Sequence, residues 1–255
     1  MAWQPDARFR DTRRGGTRRT HHDRGGNGRL PGALALRLGR SGGPWGAPGR
    51  LLDEPPGLLT LAPAPVAVGA DIPIGLPETG PRTADRMARQ RLGRPRGSSV
   101  FPAPLRPMLA AGDYAEACRI GRSRDGRALS RQTWQIVPLI AAMDAFVLAA
   151  PARQGWVREA HPELAFQAWN GGIAMAHGKK RPAGRAEREA LVETTFPDAL
   201  AGLRLQLVGQ GYAADDLLDA MACFRTAARI AVGEAEWLPA NPERDARRLA
   251  MEIVV

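Results

Sequence analysis

The residues whose types and spacing could do chemistry are acids placed at the ends of candidate elements. Asp71 follows the apolar, β-branched run Val66-Ala67-Val68-Gly69-Ala70. Glu159 lies two residues before His161, and Asp215, Asp216 and Asp219 crowd the start of a helical pattern. Carboxylates converging from separate elements are what a hard divalent ion requires, because Mg²⁺ takes oxygen ligands and keeps waters and substrate phosphates as the rest. Such ions can activate water and stabilise the leaving oxygen in phosphodiester hydrolysis. On this reading Asp71, Glu159, Asp216 and Asp219 are the catalytic metal ligands for Mg or Mn. His161 tunes Glu159 or shuttles a proton, and Arg131, Lys179 and Lys180 neutralise substrate phosphate. Each has a plainer alternative. Acids at a helix start cap free N–H groups and complement the dipole, with Asp215 as the cap. His161 is then a turn histidine bonded to backbone, Lys179-Lys180 a solvated turn and Arg131 an exposed helix-start residue.

The elements that must position these residues are legible in outline. The run at 66–72 reads as a buried strand. Ala84, Met87, Ala88, Arg91 and Leu92 fall at helical spacing, and Gly93 offers a C-cap. Asp113 with Glu116 three later makes a capping box for a second helix through Cys118. Ser130 opens a third, apolar along Trp134, Val137, Ala141, Phe146 and Val147, with Pro138 predicting a kink. Residues 156–161 read as a strand whose period of two puts Val157, Glu159 and His161 on one face, and Pro162 must end it. Pro197 is placed as the first residue of a helix through Leu207. Asp215 starts a helix that Gly233 closes, with Leu217, Met221, Phe224, Ala228 and Ala231 as its apolar stripe and Asp216 and Asp219 on a neighbouring face. Residues 251–255 suit a terminal strand. Strands interleaved with helices argue for an α/β domain.

Composition narrows the function classes. The chain has 255 residues, of which 29 are glycine and 22 proline, and carries a net charge of +10. Eleven arginines against five acids lie in residues 1–60, so the basic excess is concentrated at the N-terminal end, and all but Lys179 and Lys180 of the basic residues are arginine. Nucleic acid is therefore a candidate partner, although an arginine bias also follows from GC-rich coding. No apolar run approaches the ~20 residues of a membrane helix, and the N-terminus lacks an apolar secretion core, so neither membrane insertion nor secretion is expected. The two cysteines, Cys118 and Cys223, lack disulfide-scaffold or zinc-cluster spacing, which fits a reducing cytoplasm. No phosphate loop, GxGxxG or HExxH occurs. Residues 1–50 show no sustained period and read as a disordered Arg/Gly/Pro-rich tail ahead of a folded domain at 51–255.

A series of motifs goes further. Gly69-Ala-Asp71-Ile-Pro-Ile-Gly-Leu-Pro77, Ser98-Ser-Val-Phe-Pro102, Leu129-Ser-Arg-Gln132, Glu159-Ala-His-Pro-Glu163, Trp169-Asn-Gly-Gly172, Lys179-Lys180, Gly184-Arg-Ala-Glu-Arg188, Asp215-Asp-Leu-Leu-Asp-Ala220 and Met251-Glu-Ile-Val254 occur in that order. In this they resemble domain of unknown function family 429, whose members are described as predicted nucleases with an RNase H-like fold. The resemblance spans residues 51–255. It implies an RNase H-like mixed sheet flanked by helices, with an irregular N-terminal extension. Acids would gather at strand ends and on the C-terminal helix: Asp71 closing the central strand, Glu159 opening its motif, Asp216 and Asp219 on the helix that supplies the final ligand. Relatives begin with a strand bearing an Asp in a Val-Asp-Gly-Cys-like motif. Residues 1–60 hold no match to it, Gly42-Gly43-Pro44-Trp45 being the nearest echo. A frameshifted start over about 1–50 would account for that. The implied function is a metal-dependent nuclease hydrolysing nucleic-acid phosphodiester bonds. The alternatives are a non-catalytic RNase H-like module that binds nucleic acid or protein, and a small-molecule phosphate-handling enzyme on the same scaffold.

Overall fold

The computed structural model describes residues 33–36 and 49–255, as a mixed α/β fold of helices around short strand pairs. Strands β1 (Ala33–Leu36) and β2 (Gly49–Leu52) pair antiparallel, with Ala33 opposite Leu52. Strand β3 (Val68–Ala70) leads into the loop at 71–77. Next come α1 (Thr83–Leu92), α2 (Tyr114–Asp125), α3 (Arg131–Leu148) and the single turn α4 (Arg153–Trp156). The chain returns as β4 (Val157–Glu159), parallel to β3 with Ala70 opposite Glu159. Helices α5 (Pro162–Trp169), α6 (Pro182–Thr195), α7 (Ala199–Gln206) and α8 (Ala214–Val232) follow. The antiparallel pair β5 (Trp237–Leu238) and β6 (Ile253–Val254) comes last. A parallel bridge from Ala160 to Val254 links this pair to β4.

Local signals set most boundaries. Asp113 accepts the N–H of Glu116 at 2.7 Å to open α2, while the Glu116 carboxylate reaches Gly112 N rather than completing the box on Asp113. Ser130 accepts Thr133 N at 3.0 Å to open α3, which runs through Pro138 as one element. Pro162 and Pro182 occupy first-turn positions of α5 and α6, where the missing N–H costs nothing. The helix expected from Pro197 begins instead at Ala199, because Asp198 takes a left-handed conformation that separates α6 from α7. Strand β1 and the first residues of β2 fall inside the stretch 1–50, so the expected absence of regular structure does not hold there. Neither carries an acid. The rest of that stretch, with Gly42-Gly43-Pro44-Trp45, lies outside the described residues.

The core is divided by the strand pair β3/β4. On one side Ile72, Leu76, Ile140, Met143, Phe146, Val147 and Val157 pack between the strands and α3. A second cluster of Phe166, Val192, Phe196, Leu203, Leu217, Leu218, Met221 and Phe224 joins α5, α6, α7 and α8. Helix α8 lies directly on β3 and β1. The approach to β3 is possible because Gly69 has no side chain: a Cβ there would stand 2.5 Å from the carbonyl oxygen of Cys223. Gly69→Ala should therefore push α8 from β3 and lower stability by about 1–3 kcal/mol, an overpacking cost. Urea denaturation measures it, and an unchanged midpoint would show that the contact is dispensable.

Candidate functional site

The close packing of α8 on β3 brings two of the candidate acids together. Asp71 follows the last residue of β3, and Asp219 lies in the second turn of α8. Lys179, in the loop before α6, makes a short ion pair with Asp219, and its charge also acts on Asp71 and Asp215. Although solvent reaches Asp71, the protein packed around it pushes its carboxyl up to about 6, with Lys179 pulling it down. Burial likewise raises Asp219 to about 6; Lys179 opposes this, while Asp71 and Asp215 add to it by repulsion. Behind them lies the buried thiol of Cys223, raised first by burial and then by the two carboxylates. It is a neutral wall of the site rather than a nucleophile.

His161 joins this neighbourhood from the N-cap position of α5. Its Nε2 faces the carbonyl of Ser99 at 3.4 Å, and its Nδ1 is buried without a hydrogen-bond partner. Burial lowers its pKa, while Asp219 and Glu163 pull it up. The ring is thus held neutral near pH 7. Ser98 and Ser99 turn their hydroxyls back onto the carbonyls of Pro95 and Arg96, as turn chemistry expects.

Two expected ligands are employed elsewhere. Glu159 forms a two-pronged ion pair with buried Arg82, each N–O distance 2.7 Å, and accepts Ile74 N at 2.7 Å. Burial raises it to about 7 against the pull of Arg82. The reason it misses the cluster is strand parity. Ala70 and Glu159 are register partners on one face, whereas Gly69, one residue over, faces α8. Nor do Glu159 and His161 share a face, because β4 ends before His161 starts its helix. Asp216, not Asp215, is the cap: its carboxylate accepts Ala213 N at 2.8 Å. Asp215 is instead the residue whose charge reaches Lys179 and Asp219. Among the phosphate candidates, Arg131 lies over the Tyr114 ring, 4.7 Å from its centroid, at the start of α3. Lys180 is exposed beside Lys179.

Sequence reasoning missed the residues that hold Lys179 in place. Arg188 is fully buried; it pairs with Glu163 at 2.6 Å and donates to the carbonyls of Gly184 and His177. Glu187 accepts His177 N at 3.0 Å, and Arg181 N bonds Gly178 O. Gly184 lies so close to Gly178 O that any side chain there would collide with it. The motif Gly184-Arg-Ala-Glu-Arg188 is therefore the clamp of the 177–181 loop, and the spacing of an acid and an arginine beside a glycine was its visible signal.

A family model described as Protein of unknown function (DUF429) matches residues 11–244. The chain belongs to this family. No curated protein and no solved structure matches it. The DUF429 match begins well inside the stretch 1–50, which leaves a frameshifted start without support from residue 11 onward. No helix among the described residues is long and apolar enough to cross a membrane. Among the same residues no group of three or more His, Cys, Asp or Glu side chains is arranged to hold a metal; the candidate site is a carboxylate pair with an ammonium.

Because the folded pKa of Asp71 lies above its unfolded value, the folded state binds the extra proton between about pH 4 and 6. The stability this carries is complete below about pH 4 and lost as pH rises through 6. Asp71→Asn should accordingly become steadily more stable than wild type over that interval and keep the gain at pH 7. Glu159 titrates in both proteins and cancels from the difference. Melting temperatures of both proteins across pH 4–8 test this, and a constant difference would place Asp71 in ordinary solvent.

Proposed function

We propose that this chain is a metal-assisted phosphodiester hydrolase acting on nucleic acid, built on an RNase H-like scaffold with its centre at Asp71 and Asp219. The observation that carries this reading is the pair itself. Two carboxylates from a strand end and a helix are held close enough that the charge of Asp71 raises the affinity of Asp219 for a proton. The donor set suits a hard divalent ion, since Mg²⁺ is commonly bound through one or two carboxylates with waters and phosphate oxygens completing it. Asp71 and Asp219 would hold the ion, with Asp215 contributing charge nearby. An ion held by these residues would supply an activated water and stabilisation of the leaving oxygen. Lys179 neutralises a non-bridging phosphate oxygen, and because it is already bonded to Asp219, it orients that carboxylate until substrate draws it away. Neutral His161, with its unpartnered Nδ1, is the group able to accept a proton.

A second reading, a non-catalytic nucleic-acid-binding module, is favoured by one specific observation: Glu159 and Asp216 are engaged in structural bonds. The two are separated by incubating pure protein with labelled DNA and RNA in Mg²⁺ or Mn²⁺ and by measuring melting temperature with and without metal. Hydrolysis should require metal, and millimolar metal should raise the melting temperature, because a ligand that binds only the folded state stabilises it. Asp219→Asn should abolish both effects while keeping the metal-free fold. Binding without cleavage would establish the second reading. A full metal shift persisting in Asp219→Asn would remove the metal from this site.

A further inference from the structure

The far end of α8 carries a second polar cavity that the carboxylate pair does not use. It has a volume of about 220 Å³ and is lined by Trp169, Arg225, Thr226, Arg229 and Glu234 among others. Arg225 and Arg229 stand one helical turn apart, a spacing at which like charges repel. Their repulsion is felt: burial first and Arg229 next lower the affinity of Arg225 for its proton, and only Glu234, exposed at the rim, acts in the opposite sense. Arg229 spends one nitrogen on the carbonyl of Glu234 at 2.6 Å. Two further groups in the same cavity are unsatisfied. The Thr226 hydroxyl is buried without a partner in a residue only 1% exposed, and Arg225 Nε is buried without an acceptor. A buried polar atom left unpaired costs free energy comparable to a lost hydrogen bond, so a site with a lone hydroxyl donor and a lone guanidinium donor, beside a second arginine, lacks a hydrogen-bond acceptor.

We infer that this cavity binds a phosphate-type oxoanion, held by Arg225 and Arg229 with the Thr226 hydroxyl donating to a third oxygen. The guanidinium forks match the geometry of a tetrahedral anion, and one anion would satisfy both orphan donors at once. The source is either inorganic phosphate or the terminal phosphate of a phosphomonoester. The site is independent of the Asp71/Asp219 centre, so neither stands or falls with the other.

The test titrates the full chain with sodium phosphate against sodium chloride at equal ionic strength, reading melting temperature and calorimetric heat. Wild type should be stabilised by phosphate and not by chloride. Arg225→Gln and Arg229→Gln should each weaken phosphate binding by about tenfold, the worth of one charge-assisted hydrogen bond. Thr226→Val, which keeps the shape, should raise the melting temperature in the absence of phosphate and weaken phosphate binding. Asp219→Asn should retain the full response. Adenosine monophosphate binding more tightly than phosphate identifies a phosphomonoester; equal or weaker binding identifies the free ion. No phosphate-specific effect in wild type overturns the inference. So does an effect kept in full by both arginine variants, or by Thr226→Val.

Discussion

The buried guanidinium of Arg82 is the interaction on which the geometry of this fold depends. It pairs with Glu159 at the end of β4 and with Asp85 in the first turn of α1, and donates to the carbonyls of Ile74 and Gly75 in the loop after β3. Asp85 in turn accepts Ala103 N. One cation thus ties strand end, loop, helix start and a distant segment together. Ion pairs of this kind add little net stability when intact, because desolvation offsets the attraction, yet removing one partner strands a buried charge at a cost of about 3–5 kcal/mol. Set against a typical total of ~5–15 kcal/mol, that makes the network a specifier of geometry whose loss the fold cannot absorb easily. The loop that begins with Asp71 has its direction fixed from behind by this network.

The same device recurs around Lys179. Arg188 and Glu163 form a buried pair that also captures the loop carbonyl of His177, so the ammonium is delivered by a clamp rather than by its own contacts. A third pair set, Arg106 with Asp144 and Asp245, secures Leu76 N through Asp245 at the far end of the 71–77 loop. Both halves of the candidate site therefore rest on arginines that never reach it. Exposed pairs such as Arg124 with Glu78 belong to another class, worth about 0–1 kcal/mol and without positional consequence.

This division explains what could be read in the sequence. Caps and periodicity are local, and they located the helices at 83–92, 131–148 and 214–232 within a residue or two, and the start but not the end of the helix at 114–125, which runs on past Cys118 to Asp125. They also placed strands at 68–70 and 157–159, with Asp71 and Asp219 as the acids at their element ends. The errors arose where a one-residue choice is settled by distant partners. Register with β3 turns Glu159 toward Arg82, and a step of about 100° along α8 exchanges the roles of Asp215 and Asp216. The burial of Arg82, Arg188 and Glu163 has no signature in the sequence, because charged residues are almost never fully buried unless paired, and pairing across 77 or 25 residues leaves no local pattern. The helix α6, rich in Arg and Glu, hid for the same reason: its buried face is made by Gly184, Arg188 and Val192 rather than by an apolar stripe.

The charge balance of the cluster follows from these constraints. Asp71 and Asp215 both act on Asp219, and the only basic side chain among the forces on Asp71 and Asp219 is Lys179. When all four are ionised the group carries more negative than positive charge, and the Asp219 carboxylate is largely shielded from solvent. The excess has two ways to be relieved: protons, which the raised affinities of Asp71 and Asp219 accept below about pH 6, or a cation. Parting the two backbones is not a third way, because β3 and α8 meet at Gly69, where backbone meets backbone. A fold that forces acids together without supplying their full counter-charge leaves protons and cations competing for one place, and so occupancy by either must fall as the other rises.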